Sequence, residues 1–187
     1  MQDEMLVEGF LSGVKECILI DDTQLAQKLI NKRIPRKTYK RRFMDRHVND
    51  YWFFKNQNVK REFLEMNIHN KLKNGIFDHL SMGKILGFPP KAIEMFSSGL
   101  FESSDRIGMD YCGMYFMSYK QTIVEDLSWL FENRFLPLGK GFEIVIEFHD
   151  TKKSLRYDVD EYCEHKFKII ADVNSNLRDT NRLNDIA

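Results

Sequence analysis

Apolar positions recur along this chain with two different periods, and each period predicts a different kind of element. In residues 2–15, Met5, Leu6, Phe10, Leu11 and Val14 share one stripe with acids and Ser12 opposite. This predicts a short amphipathic helix, weakened by Gly9 and Gly13. The apolar run Cys17–Ile20 predicts a strand. Asp21, Asp22 and Thr23 then offer an N-cap for a helix patterned by Leu25, Leu29 and Ile30, which Ile34-Pro35 ends. Residues 36–58 (RKTYKRRFMDRHVNDYWFFKNQN) predict a basic helix to about Val48 followed by a short extended Tyr51–Phe54. Four consecutive aromatics cannot all face one way on a strand, so some are buried and some cover another element. Asn58 is read as the cap of a longer helix reaching Asn74, with Val59, Phe63, Met66 and Leu72 inward and Gly75 as its stop.

The second half changes character. Glu102–Asp110 (ESSDRIGMD) predicts a polar loop and a joint between two parts. Met114–Ser118 suits a strand, and residues 121–133 a helix with Ile123, Val124, Leu127, Leu130 and Phe131 inward. A linker, Phe135–Gly141, leads to a strict alternation in which Phe142, Ile144, Ile146 and Phe148 face one way and Glu143 and Glu147 the other. Leu155, Tyr157 and Val159 repeat the period, so an antiparallel hairpin with one wet face is predicted. Residues 160–173 fit a helix or a strand, and the polar tail from Asn174 is expected to fray. The implied class is α+β: a helical N-terminal part, then a small antiparallel sheet with one helix. It is read as a single domain over 1–187, with a possible subdivision at 1–101 and 102–187.

From His79 to Ser98 the chain reads as two short helices around a tight corner. Gly87 stops the first helix, Pro89-Pro90 starts the second, and Ile93 and Phe96 give the second an inward face. With small residues at Gly83 and Gly87 and the apolar Phe88 after the turn, this stretch resembles a helix-turn-helix over 20 of 187 residues. The resemblance implies a second helix with Arg, Asn, Gln or Lys placed early at base edges. Here that helix offers Lys91, Ser97 and Ser98, and Glu94 repels phosphate. A packed helical hairpin is the expected outcome.

Composition narrows the setting. No apolar run approaches the roughly 20 residues that span a bilayer, and the N-terminal MQDEMLVEG carries acids where a signal peptide carries Lys or Arg. A cytoplasmic protein without membrane contact is expected. Cys17, Cys112 and Cys163 are scattered and read as free thiols.

The net charge is zero, but it is segregated: Lys28–Arg61 holds twelve Lys/Arg against two acids. Within it, Arg36, Lys37, Lys40, Arg41, Arg42 and Arg46 interleave with aromatics. Cations neutralise phosphates and release counterions, while aromatic faces stack on bases. The expected site is therefore Arg36, Lys37, Lys40, Arg41, Arg42, Arg46, Tyr51, Trp52 and Lys55, with nucleic acid as the partner. A solvated basic face with buried aromatics is the plainer reading of the same residues.

Other chemistry is thin. Cys163-x-His165 and His149-Asp150 lack zinc-ligand spacing, so no metal is assigned. There is no phosphate-binding glycine loop and no nucleophile elbow. No catalytic residue or cofactor is assigned. The first reading is a non-enzymatic binding protein. The alternative is a protein-interaction module or inhibitor, docking an acidic protein on the basic segment or a basic surface on the acidic hairpin. A small enzyme built on the C-terminal carboxylates and histidines comes third.

Overall fold

The structure, a computed structural model, describes residues 2–20, 23–43, 46–68, 71, 78–99, 103–134, 142–159 and 166–184. Within these ranges the side chains at 2, 3, 5, 23, 41–43, 46, 47 and 179–184 are outside the description. The Asp21-Asp22 cap, the helix stop at Gly75, the linker Phe135–Gly141 and the pair Cys163/His165 also lie outside the described residues. The chain divides into two units, Met1–Phe88 and Pro89–Ala187.

The run of aromatics organises the first unit. Tyr51–Phe54 ends a strand, β3 (Arg46–Phe54), which lies between β1 (Cys17–Ile20) and β2 (Arg36–Phe43) in an antiparallel sheet of order β1-β3-β2. A central strand is covered on both faces, so successive aromatics can all be buried on alternate sides. Phe53 packs with Val7 and Phe10 of α1 (Gln2–Leu11), Leu29 of α2 (Thr23–Asn31), and Ile18 and Ile20. Trp52 and Phe54 face the other way, against Phe63 of α3 (Gln57–Glu65) and Ile85 of α4 (His79–Leu86). The expected basic helix at 36–48 is therefore a strand. Tyr39 and Phe43, four apart, imitate a helical stripe, but residues 36–43 pair one by one with 53–46, and that cross-strand pairing overrides local pattern. Two further boundaries move. α3 is capped by Asn56, not Asn58, with its side chain accepting from the N–H groups of Asn58 and Val59 at 2.9 and 3.0 Å. It also stops at Glu65, ahead of Asn67 in a left-handed conformation.

The second unit holds α5 (Pro90–Ser98), β4 (Arg106–Tyr111), β5 (Met114–Tyr119), α6 (Ile123–Asn133), β6 (Glu143–Phe148), β7 (Lys153–Asp158) and α7 (Lys166–Asn184). Its antiparallel sheet has the order β5-β4-β6-β7. The expected hairpin is β6–β7, with Phe142, Ile144, Ile146 and Phe148 buried, while Leu155 and Tyr157 on the edge strand are half-buried. Most of the segment read as a loop is in fact strand β4, paired with β5 on one side and β6 on the other. Its hairpin turns through Cys112-Gly113, both with positive φ (53° and 81°), as a two-residue turn requires. Lys166–Asn184 is one helix, so the helical alternative holds for 166–173 and the helix runs on past Asn174, where fraying is expected from the sequence; Ile169 and Val173 anchor it while Phe167 is exposed.

At Gly87 the backbone is left-handed (φ 80°, ψ 30°). The N–H of Phe88 donates to the Gly83 carbonyl and that of Gly87 to Lys84, both at 3.0 Å, closing α4 as the sequence predicts. The two helices of the corner bury their apolar residues in different units: Ile85 in the first core, Ala92 and Ile93 of α5 against β5 and α6 in the second. The fold is α+β, with a sheet in each unit. No helix among the described residues is long and apolar enough to cross a membrane.

Candidate functional site

Where α2 ends, the chain turns sharply. Lys32 and Arg33 bond back to the carbonyls of Leu29 and Ile30, Arg33 takes a left-handed conformation (φ 56°), and Pro35 starts the approach to β2. The N–H of Phe54 donates to the Pro35 carbonyl at 2.9 Å, fixing the start of β2 beside the end of β3. α3 begins three residues after β3, so its first turn lies alongside Arg36–Thr38. Between them is an open cleft of about 560 Å³. Arg33, Arg36, Lys37 and Lys60 line it with Thr38 and Gln57, and Ile34-Pro35 forms an apolar wall.

Among the described residues, no acid lines the cleft. Arg33, Arg36 and Lys37 are exposed and Lys60 is half-buried, and none of the four has a carboxylate partner among the described residues. Lys37 lies 5.8 Å from the centre of the Tyr39 ring. The first turn of α3 adds the positive end of its dipole at Gln57. β2 is an edge strand, and its uniform register with β3, continued by the Pro35–Phe54 bond, turns the N–H groups of Arg36, Thr38 and Lys40 to the open edge. Several like charges in a concave surface focus a positive field and draw in anions. The same cations also guard this edge against pairing with another chain.

The expected site residues separate. Arg36 and Lys37 are in the cleft, and Lys40 is exposed further along β2. Arg41 and Arg42 hold positions opposite Val48 and His47, but their side chains and that of Arg46 lie outside the described residues. Lys55 is ion-paired with Glu16 at 3.1 Å. Tyr51 is half-buried, its hydroxyl accepting from Asn49 at 3.3 Å. Trp52 is corrected: it is 2% exposed and packs on Phe63 with ring centres 4.7 Å apart, so it offers no face to a base. The expectation missed Arg33 and Lys60. Both sit in the basic run, but only the turn before β2 and the first turn of α3 bring them to Arg36 and Lys37.

The other reactive groups are placed for structure. Cys17 and Cys112 are buried thiols, raised well above their ordinary range by burial, Cys112 to about 12 with the Asp110 charge adding to the effect. Such thiols are poor nucleophiles. Asp126 of α6 is 1% exposed. It accepts from the Ser118 hydroxyl at 2.6 Å, the Thr122 hydroxyl at 3.1 Å and the Ala92 N–H at 3.1 Å. It thereby caps α5, whose own N-cap is Pro89 with no side chain to accept a bond. Burial pushes its carboxyl up to about 6, against the pull of those three bonds. Among the described residues, no group of three or more His, Cys, Asp or Glu is placed to hold a metal ion. No protein-family model matches the chain, and no curated protein or solved structure matches it either.

Proposed function

We propose that the first unit is a nucleic-acid-binding module that holds the phosphate backbone in the cleft between the start of β2 and the first turn of α3. The observation that carries this reading is the convergence of Arg33, Arg36, Lys37 and Lys60 in one concavity that no acid among the described residues lines. Lys40 extends the basic surface along the strand, and Arg41, Arg42 and Arg46 continue it in sequence. With Trp52 buried, affinity rests on charge rather than base stacking, so binding is sequence-tolerant. The reading takes the protein as cytoplasmic, where buried thiols such as Cys17 and Cys112 stay reduced.

The test is a salt series on random single-stranded and duplex oligonucleotides, comparing wild type with the triple variant Arg36→Ala, Lys37→Ala, Lys60→Ala. Log K should fall by roughly 0.7–0.9 per contacted phosphate per log unit of salt. The triple variant should flatten that slope by up to about three contacts. Absence of binding at low salt, or a slope the variant leaves unchanged, removes nucleic acid from the reading. The open N–H groups of β2 favour one alternative: an acidic protein segment adding a strand to that edge.

A further inference from the structure

Gly108 sits in the middle of β4, where the backbone does not require it: its φ is not in the left-handed region. Glycine inside a strand weakens the sheet and often marks a place that another group approaches closely. What this position requires is room. A Cβ there would stand 2.8 Å from the Tyr115 hydroxyl, 3.2 Å from Glu147 Oε2 and 3.3 Å from His149 Nε2. The three groups come from β5, β6 and the turn after β6, with Glu147 directly opposite Gly108 and Tyr115 opposite Asp110. Among the described residues none of the three makes a hydrogen bond or ion pair, and all three are exposed, Tyr115 at 46%. Of the neighbouring charges, Arg156 is paired with Glu143 at 3.2 Å and Lys120 with Asp150 at 2.7 Å, while Arg106, two residues from Gly108 along β4, turns its guanidinium to the Tyr119 hydroxyl. Burial, then the Glu147 and Asp110 charges, hold the Tyr115 hydroxyl above its ordinary range.

We propose that the notch over Gly108, framed by Tyr115, Glu147 and His149, binds a primary ammonium group. An ammonium has three N–H donors and one positive charge. The notch offers the phenol oxygen, the carboxylate and an imidazole nitrogen as three acceptors, and the Glu147 and Asp110 charges attract the cation. An anion would be repelled by the same carboxylates. A metal ion would have only Glu147 and His149 as strong ligands, fewer than the three protein ligands of an ordinary site. The ammonium can come from a free amine or from a lysine side chain of a partner protein, and the chemistry of capture is the same.

The test uses the full chain in solution. Butylammonium is titrated while the Gly108 amide and the His149 ring are followed by NMR, with tetramethylammonium at equal ionic strength as a control that has the charge but no N–H. Butylammonium should give saturable shifts and tetramethylammonium none. Glu147→Gln removes the charged acceptor. Gly108→Ala fills the notch, its methyl 2.8 Å from the Tyr115 hydroxyl and forcing that ring aside. Each should weaken binding by about 10-fold or more, the scale of a lost charge-assisted hydrogen bond. Glu143→Gln, whose carboxylate already serves Arg156, should bind as wild type. Glu147 is exposed, so that variant keeps the fold whatever Gly108→Ala does. An unsaturable response, equal binding of tetramethylammonium, or binding indifferent to Glu147→Gln overturns the proposal. A lysine-containing peptide that binds about 10-fold more tightly than butylammonium assigns the group to a protein partner, and equal binding assigns it to a free amine.

Discussion

Asp126 ties three elements together at one carboxylate, and its protonation makes that tie visible in solution. Folded, it keeps its proton up to about pH 6, whereas in the unfolded chain it releases it at the ordinary value of 3.8. Between those values the folded state binds more protons, so this residue's contribution makes stability fall as pH rises. Asp126→Asn keeps an acceptor for the Ala92 N–H and removes the titration. Denaturant melts at pH 4, 5, 6 and 7 should show the wild type losing stability relative to Asp126→Asn across that window. Parallel curves would contradict the assignment. Gly87 makes a second residue-scale prediction. Its left-handed φ of 80° suits glycine, so Gly87→Ala should cost about 1 kcal/mol or more in the same melts. Gly87 was legible because the signal is local: a glycine ahead of Phe88-Pro89 has few other uses. Asp126 was not. An acid in an amphipathic helix reads as solvent-facing until Ser118, Thr122 and the start of α5 close over it.

The same divide separates the elements. The β6–β7 hairpin was legible because strict alternation fixes both the element and its buried face. Ile146 is fully buried on that face, and Ile146→Ala should cost about 2–5 kcal/mol. A loss below about 0.5 kcal/mol would show the residue is not part of the core. β4 and β2 escaped because each is a strand only through its pairing, β2 with the strand that directly follows it and β4 with both its neighbour β5 and the distant β6. In β4 the glycine between Ile107 and Met109 reads as loop chemistry, yet the strand is central and its apolar positions meet Phe116, Ile146 and Phe148. In β2 the cations hide an alternation that becomes evident only opposite β3. The candidate cleft follows the same rule. Its charge density was plain in the sequence, and Arg36 and Lys37 were named from it. Its membership was not, because Arg33 and Lys60 arrive from a turn and a helix. In the notch over Gly108, Glu147 reads as a solvent-face acid and His149 as a histidine without ligand spacing, and only sheet register brings them to Tyr115.

At the scale of the molecule, a neutral chain is divided into a unit with the basic run and a unit in which acids outnumber cations, each with its own core. One consequence lies in Trp52. It is one of two tryptophans in the chain, the other being Trp129 in the second unit. Trp52→Ala should destabilise the first unit by about 3–5 kcal/mol and leave the salt slope of oligonucleotide binding unchanged in whatever population stays folded. Calorimetry and labelled-oligonucleotide anisotropy measure the two effects separately. In a Trp129→Phe background, Trp52 becomes the sole tryptophan of the protein and, excited to the red of tyrosine absorption, the sole emitter, walled in by Phe54 and Phe63. Its emission should be blue and resistant to acrylamide, and a ligand resting on the cations of the cleft does not reach it. Quenching titrations would then register nothing while the cleft fills. The same indole would shift to the red as soon as the sheet beneath the cleft comes apart.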